Sequence, residues 1–211
     1  AAIKADLDAR GRHDFEVAVE NWTHDFNIGS MVRTANAFQA RRVHIVGPHK
    51  WNRKGALMTE LYQHVENHPS IAQLVECWHN RIAGEIAAAR AEAGAAAFHA
   101  HQAAVHGDTA VVAAHAAQVD AAEAHIRELE ASRVIAMDII PGAVPMETYR
   151  FPKRCLMLFG AEGPGLSEKA LELADDVVYI SQFGSVRSIN AGAAAAVSMH
   201  AWIAQHAAIR G

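Results

Sequence analysis

Three glycine-punctuated stretches hold the residue types from which a ligand site can be built. The first is Asn27-Ile28-Gly29-Ser30-Met31-Val32-Arg33-Thr34-Ala35-Asn36-Ala37-Phe38. The second is Leu158-Phe159-Gly160-Ala161-Glu162-Gly163-Pro164-Gly165-Leu166-Ser167, and the third is Ile180-Ser181-Gln182-Phe183-Gly184-Ser185-Val186-Arg187-Ser188-Ile189-Asn190. The second and third each follow a short apolar run and lead into a helical pattern. Ligands in open α/β sheets bind beyond the carboxyl ends of strands, so two such turns together can wall a pocket. Glycines there let a ligand approach the backbone, whose amides and carbonyls can then read it.

A different chemistry is written between Asp25 and Glu60, where six basic residues (Arg33, Arg41, Arg42, Lys50, Arg53, Lys54) occur without an acid. With Trp51 and Asn52 embedded, the segment reads either as a phosphate-contacting strip with a stacking aromatic or as a solvated basic face. Metal chemistry finds no local signature. His64 and His68 lack the adjacent Glu of H-E-x-x-H, and His99 and His101 cannot ligate from one helical face. Gly160 to Gly165 is not GxGxxG, and no acid follows at the dinucleotide distance, so a nicotinamide site is unsupported. Two isolated cysteines, Cys77 and Cys155, make neither a disulfide framework nor a four-cysteine zinc site.

The elements that must position these residues alternate. Phe15–Val19 and Arg42–Gly47 read as strands, as do Arg133–Ile140, Cys155–Phe159 and Val177–Ile180. Ile28–Phe38, the segment from Pro69 through Trp78, Ser167–Ala174 and Asn190–Ile209 read as helices. Such alternation predicts an α/β layer with a mainly parallel sheet. Residues 81–130 differ, with 20 Ala in 50 and five His. Alanine is the strongest helix former, so a pair of helices broken near Gly107-Asp108 is expected, with Asp108 or Thr109 as cap. This insertion, bounded at 81–131 within a single domain spanning 1–211, reads as a helical arm for dimer or RNA contact or as a bland spacer.

Composition sets the remaining bounds. The 211 residues are 51% hydrophobic, enough for one sizeable core. The 19 Lys+Arg and 23 Asp+Glu leave a net charge of −4, which excludes a histone-like polycation and a disordered acidic tail. No apolar stretch approaches membrane-spanning length and no signal segment is visible, so the expectation is a soluble, cytoplasmic protein without membrane partners.

The three glycine-punctuated stretches resemble, in order and relative spacing, the signature motifs of the SpoU/TrmH-type RNA ribose 2′-O-methyltransferases of the SPOUT class. The first resembles N-x-G-x-x-x-R-x-A-x-x-F, the second G-x-E-x-x-G-L, and the third I-x-x-x-G-x-x-x-S-[L/I]-N. The likeness covers residues 15–50 and 133–205 and leaves the Ala-rich segment outside. It implies a SPOUT-type α/β knot: a mainly parallel sheet with helices on both faces and a C-terminal trefoil knot. It further implies S-adenosylmethionine as methyl donor, tRNA or rRNA as substrate, and a homodimer whose site borrows from both chains. Five residues at three places depart from the pattern: Gln39 where the family usually has Gly, Ser181-Gln182 where it commonly has Pro-Met, and Ala191-Gly192 in place of Val-Ser.

By the same resemblance the adenosine half of the donor lies against Phe159, Gly160, Ile180, Gln182 and Ile189. Ser188 and Asn190 border the methionine half and the methyl, and Asp138 lines the cofactor from the end of its strand. Arg33 is the residue the family proposes as hydroxyl activator. A guanidinium is a poor base, so holding the phosphate beside the target ribose and stabilising the oxyanion is the physical alternative. Asn27 either fixes the first loop or reaches the ribose, and an N-cap is the plainer reading. Glu162 either joins the catalytic set or holds loop amides. An RNA surface would comprise Arg33, Arg41, Arg42, Lys50, Trp51, Arg53 and Lys54. Two other classes stand beside this one: a knotted dimer that binds RNA or cofactor without turnover, and a nucleotide-dependent oxidoreductase.

Overall fold

The structure, a computed structural model, describes residues 2–22, 27–161, 163–185 and 188–208. In chain order the elements are α1 (Ala2–Ala9), β1 (Phe15–Glu20), α2 (Asn27–Ala37), β2 (Val43–Val46), two 3-10 turns (Lys54–Ala56 and Thr59–Leu61) and β3 (Val65–His68). There follow α3 (Ile71–Val105), α4 (Thr109–Glu130), β4 (Arg133–Met137), β5 (Val144–Pro145), β6 (Cys155–Phe159), α5 (Glu168–Leu173), β7 (Asp176–Tyr179) and α6 (Ala191–His206). The chain forms two compact units, one of Ala1–Val75 with Arg133–Gly211 and one of Glu76–Ser132.

The first unit is built on a sheet of seven strands among the described residues, ordered β3-β2-β1-β6-β4-β7-β5. Every pairing is parallel. Alternation along the strands sends Phe15, Val17, Val19, Val43, Ile45, Cys155, Met157 and Phe159 to one face. There they meet Ile28, Met31, Val32 and Ala35 of α2 and Ala195, Met199 and Trp202 of α6. The opposite face is buried as well, by Leu156, Leu158, Val134 and Ala136, which is the usual state of a parallel sheet. It also buries charge: Glu16, Glu20, His44 and Arg154 are each no more than 2% exposed. Glu20 accepts from the amide and hydroxyl of Ser167, both at 2.7 Å, and Ser167 in turn caps α5 through the amide of Ala170.

Strand boundaries move for physical reasons. The expected strand to Ile140 stops at Met137, because the Asp138 carboxylate turns the chain by accepting from the Ile139 amide at 2.8 Å. The edge strand β3 and the two-residue β5 fall where the sequence predicts no strand. Helix α6 begins at Ala191 with Asn190 as its N-cap, and ends at His206 where Ala207 turns extended. Helix α2 closes in a Schellman motif, with the Ala40 amide bonding the Ala35 carbonyl at 2.8 Å and the Gln39 amide bonding Asn36 at 3.1 Å. Gln39 occupies the left-handed position of that motif at φ 52°, which is where the family's usual glycine belongs.

The second unit is a helical hairpin. Helix α3 ends at Val105, Gly107 turns at φ +75°, and Asp108 caps α4 by accepting from the Val111 amide at 3.1 Å. The buried positions of α3 within this unit are Trp78, Ile82, Ala89 and Ala96, the last three seven residues apart. On α4, besides Glu128, the half-buried and buried positions are Val112, His115, Val119, Ala122, Ile126 and Leu129, which alternate steps of three and four. This is coiled-coil spacing, with alanine prominent on α3 and larger aliphatic side chains on α4. Arg90 and Glu130 pair at 2.9 Å between the two helices.

Candidate active site

The turns that leave β4, β6 and β7 and the first turn of α6 enclose a cavity of about 810 Å3. Its position beyond the carboxyl ends of three parallel strands is where open α/β sheets bind ligands, and its size suits a drug-sized molecule. Asp138, Phe159, Gly160, Ile180, Gln182, Ser188, Ile189 and Asn190 all line it, so the two glycine-rich turns meet as the sequence predicts. The wall also includes Leu166 of the second motif and residues that no motif marked, among them Met137, Ile139, Tyr179 and Ala194. Asp138 is the single charged residue of the wall among the described residues. Glu162 lies outside the described residues.

Gly160 is required by the chain itself rather than by a ligand. A Cβ there would collide with the Gly165 carbonyl and the Leu166 nitrogen, which pass directly across it. The Gly165 amide bonds back to Ala161 at 3.0 Å and Gly165 holds φ +74°, so residues 161–165 form a tight return over Gly160. The side of Gly160 where a Cβ would stand is thus filled by backbone, while the residue still lines the cavity.

Two side-chain braces shape the rim. Asn190 Nδ2 donates to Asn27 Oδ1 at 3.0 Å, while Asn190 Oδ1 accepts from the Ala193 amide at 3.1 Å. The first and third glycine stretches are thereby joined, and Asn190 serves as both cap and bridge. On the other side Ser181 donates to Glu147 through its amide at 3.2 Å and its hydroxyl at 2.8 Å. A proline at 181, as the family commonly has, could not make the amide bond, so this departure carries its own brace. Hydrogen bonds from the Glu147 amide, and then from Ser181, hold the Glu147 carboxyl below the usual carboxylate range. Glu147 had no sequence signal, because its partner is 34 positions away.

Gln182 adds a feature of the wall itself. Its Oε1 is buried and accepts no hydrogen bond among the described residues. A buried acceptor facing a cavity calls for a donor from whatever fills it.

Arg33 does not line the cavity of its own chain. It is exposed on α2, one turn after Gly29, and makes no ion pair among the described residues. Gly29 is packed against Gly55, where a Cβ would lie 2.9 Å from the Gly55 Cα, so α2 rests on the turn that carries Arg53 and Lys54. The basic strip is narrower than its sequence. Arg41 pairs with Asp14 at 2.9 Å and Arg42 with Glu66 at 3.0 Å, partners that a local charge count does not see. Trp51 is half-buried against the core and carries the Arg53 guanidinium at 5.8 Å from its ring centre. Lys50, Arg53 and Lys54 are exposed.

Comparison with known proteins adds three findings. The family model described as the SpoU rRNA Methylase family matches residues 84–200, which contain the second and third glycine stretches but not the first. The chain is 32% identical over 81 residues to the tRNA (guanosine(18)-2′-O)-methyltransferase of Saccharomyces cerevisiae, a stretch of 38% of this chain and 6% of that protein. Among solved structures, the SpoU methyltransferase AviRb from Streptomyces viridochromogenes, in complex with the cofactor AdoMet, shares the fold at a TM-score of 0.59 and 22% identity. That match covers 92% of this chain and 58% of AviRb. The A. aeolicus TrmH/SpoU tRNA modifying enzyme does so at 0.63 and 14%, covering 97% and 84%. The chain thus spans a small part of the curated relative and just over half of AviRb.

Proposed function

The chain belongs to the SpoU rRNA Methylase family, and on that premise we propose that it transfers a methyl group from S-adenosylmethionine to a ribose 2′-hydroxyl of tRNA or rRNA. The observation that carries this reading is the cavity behind β4, β6 and β7 and the character of its wall. The residues present fit the donor. Gln182 Oε1 is a buried acceptor without a donor, suited to the exocyclic amine of an adenine, and Phe159, Ile180 and Ile189 offer apolar surface beside it. Asp138 supplies one carboxylate in an otherwise uncharged wall, which favours a cation or a ribose hydroxyl. When bound, S-adenosylmethionine supplies an activated methyl on a sulfonium.

The chain's own work is then positioning and electrostatics. Ser188 and Asn190 border the end of the cavity nearest α2, with Asn190 held by Asn27. Arg33 neutralises the phosphate beside the target ribose and stabilises the oxygen as its proton passes to solvent water, a role for which a permanently charged guanidinium is suited. Such alignment supplies several kcal/mol of barrier lowering, of the ~7–11 kcal/mol that ideal orientation offers. Arg33 stands apart from its own cavity, which supports a homodimer in which the arginine of one protomer serves the cavity of its partner. The trefoil knot, the cytoplasmic location and the choice between tRNA and rRNA belong to the same reading. Lys50, Arg53 and Lys54 with Arg33 form the RNA-facing charge, joined by the paired Arg41 and Arg42 and by Trp51.

The test is transfer of labelled methyl from S-adenosylmethionine to total RNA, followed by nuclease digestion to locate the label. Label in ribose 2′-O-methylated nucleosides is the expected result. Binding of the donor without transfer to any RNA would overturn the enzymatic reading in favour of a binding dimer.

A further inference from the structure

A second polar cluster lies on the opposite sheet face, among strands that contribute nothing to the cavity. The β2·β3 register sets His44 beside Glu66, and alternation puts His68 on the same face two residues on. His44 Nδ1 and His68 Nε2 are 3.0 Å apart, and Glu66 Oε2 is 3.7 Å from each. A triangle with these sides has its centre about 2.0 Å from every corner, matching Zn–N and Zn–O bonds of ~2.0–2.2 Å. The surrounding contacts fix the donors. Glu16 Oε2 holds His44 Nε2 at 2.6 Å, which leaves Nδ1 to present its lone pair, the carboxylate–histidine arrangement common behind zinc ligands. Arg154 holds the other Glu16 oxygen at 3.0 Å, and Arg42 holds the other Glu66 oxygen at 3.0 Å.

We propose that His44 Nδ1, His68 Nε2 and Glu66 Oε2 bind one zinc ion that clamps the edge strand β3 to β2. His44 is fully buried and His68 nearly so, while the Glu66 side chain is 31% exposed, so the ion enters and takes a water as its fourth ligand on that side. In the metal-free protein His68 Nε2–H donates to His44 Nδ1. On loading, that proton moves to His68 Nδ1 and both facing nitrogens bind the ion, with no net proton loss from a neutral pair and loss of one from a cationic pair. Two imidazoles and one carboxylate suit zinc, whereas magnesium demands an octahedral oxygen set. The proposal is independent of the methyl-transfer reading, since none of the three residues touches the cavity.

The experiment is titration of chelator-treated full-length chain with Zn2+, Mg2+ and Co2+, read by calorimetry, metal analysis of the dialysed protein, thermal unfolding and visible absorption. The expected result is one equivalent of Zn2+ with a raised Tm, no response to Mg2+, and a Co2+ spectrum of the intense four-coordinate type. Glu66→Gln and His68→Ala should each weaken Zn2+ binding by more than the ~10–100-fold that loss of an outer-shell partner brings. Failure of the wild-type chain to take up a stoichiometric ion would overturn the site. So would uptake unchanged in both variants, which would move the ion to other histidines such as His99 and His115, whose rings are 5.5 Å apart. Should the variants not fold, a wild-type Co2+ spectrum of the weak six-coordinate type overturns the proposal on its own.

Discussion

Asn27 and Asn190 are separated by 163 positions and joined by one hydrogen bond of 3.0 Å, which ties the start of α2 to the cavity rim. Asn190 also caps α6. Asn190→Ala should therefore lose about 1 kcal/mol from the cap and weaken S-adenosylmethionine binding. Asn190→Asp keeps the capping oxygen and should recover stability but not the bridge. Thermal unfolding and calorimetric titration separate the two effects; equal behaviour of both variants would refute the division of labour.

Gln39 sits at φ 52° in the Schellman position that ends α2. An L-residue in the left-handed region is disfavoured by about 1–2 kcal/mol, against about 0.5–1 kcal/mol for the extra freedom glycine loses. Gln39→Gly should raise stability by a few tenths to 1 kcal/mol, seen as a Tm increase of about 1–4 °C. An unchanged or lower Tm would mean that the Gln39 side chain contributes more than its backbone strain.

Arg33→Ala should abolish methyl transfer and leave donor affinity intact, because Arg33 is not in the cavity wall. Mixing that variant with a cavity variant such as Ser188→Trp, followed by subunit exchange, should recover part of the activity. Recovery requires that the arginine and the cavity come from different protomers, and its absence after demonstrated exchange would place both in one chain.

Glu147 braces Ser181 with its carboxylate. Its native pKa lies below the ordinary value, so the brace is fully present above the unfolded pKa of about 4.3 and fades as pH falls through the lower native value. Donor affinity measured from pH 7 down to 3 should hold through the ordinary carboxylate range and decline only below it in the wild type. Glu147→Gln should bind more weakly at pH 7 and lose that acid limb. Because Glu147 is exposed, the effect is a few-fold at most.

Burial pushes the Cys155 thiol well above its usual value, and it is 0% exposed. Cys77 is half-exposed. A thiol reagent should modify one cysteine in the native protein and two after unfolding, with mass spectrometry placing the first label on Cys77.

Legibility in the sequence followed how local each determinant is. The run Cys155–Phe159 was readable to the residue because a strand buried on both faces is apolar throughout. Strand β3 was not, since two of its four residues, Glu66 and His68, face buried partners on other strands. Seven of the eight cavity residues were legible through motif order, which encodes a shared backbone path, and Asp138 through its place at the end of a strand. Arg41 and Arg42 looked unpaired because Asp14 and Glu66 reach them only through tertiary structure. The hairpin seam stayed hidden because alanine occupies every face of α3, so the seven-residue spacing of Ile82, Ala89 and Ala96 carries no contrast with its surroundings.

That same monotony gives the arm an unusual freedom of length. Deleting one seven-residue module from α3 together with its counterpart on α4 would shorten the hairpin by about 10 Å and keep the seven-residue register of Ile82, Ala89 and Ala96 wherever the module is taken from between them. A cut of any other length would turn the remaining α3 alanines off the line that these three positions share.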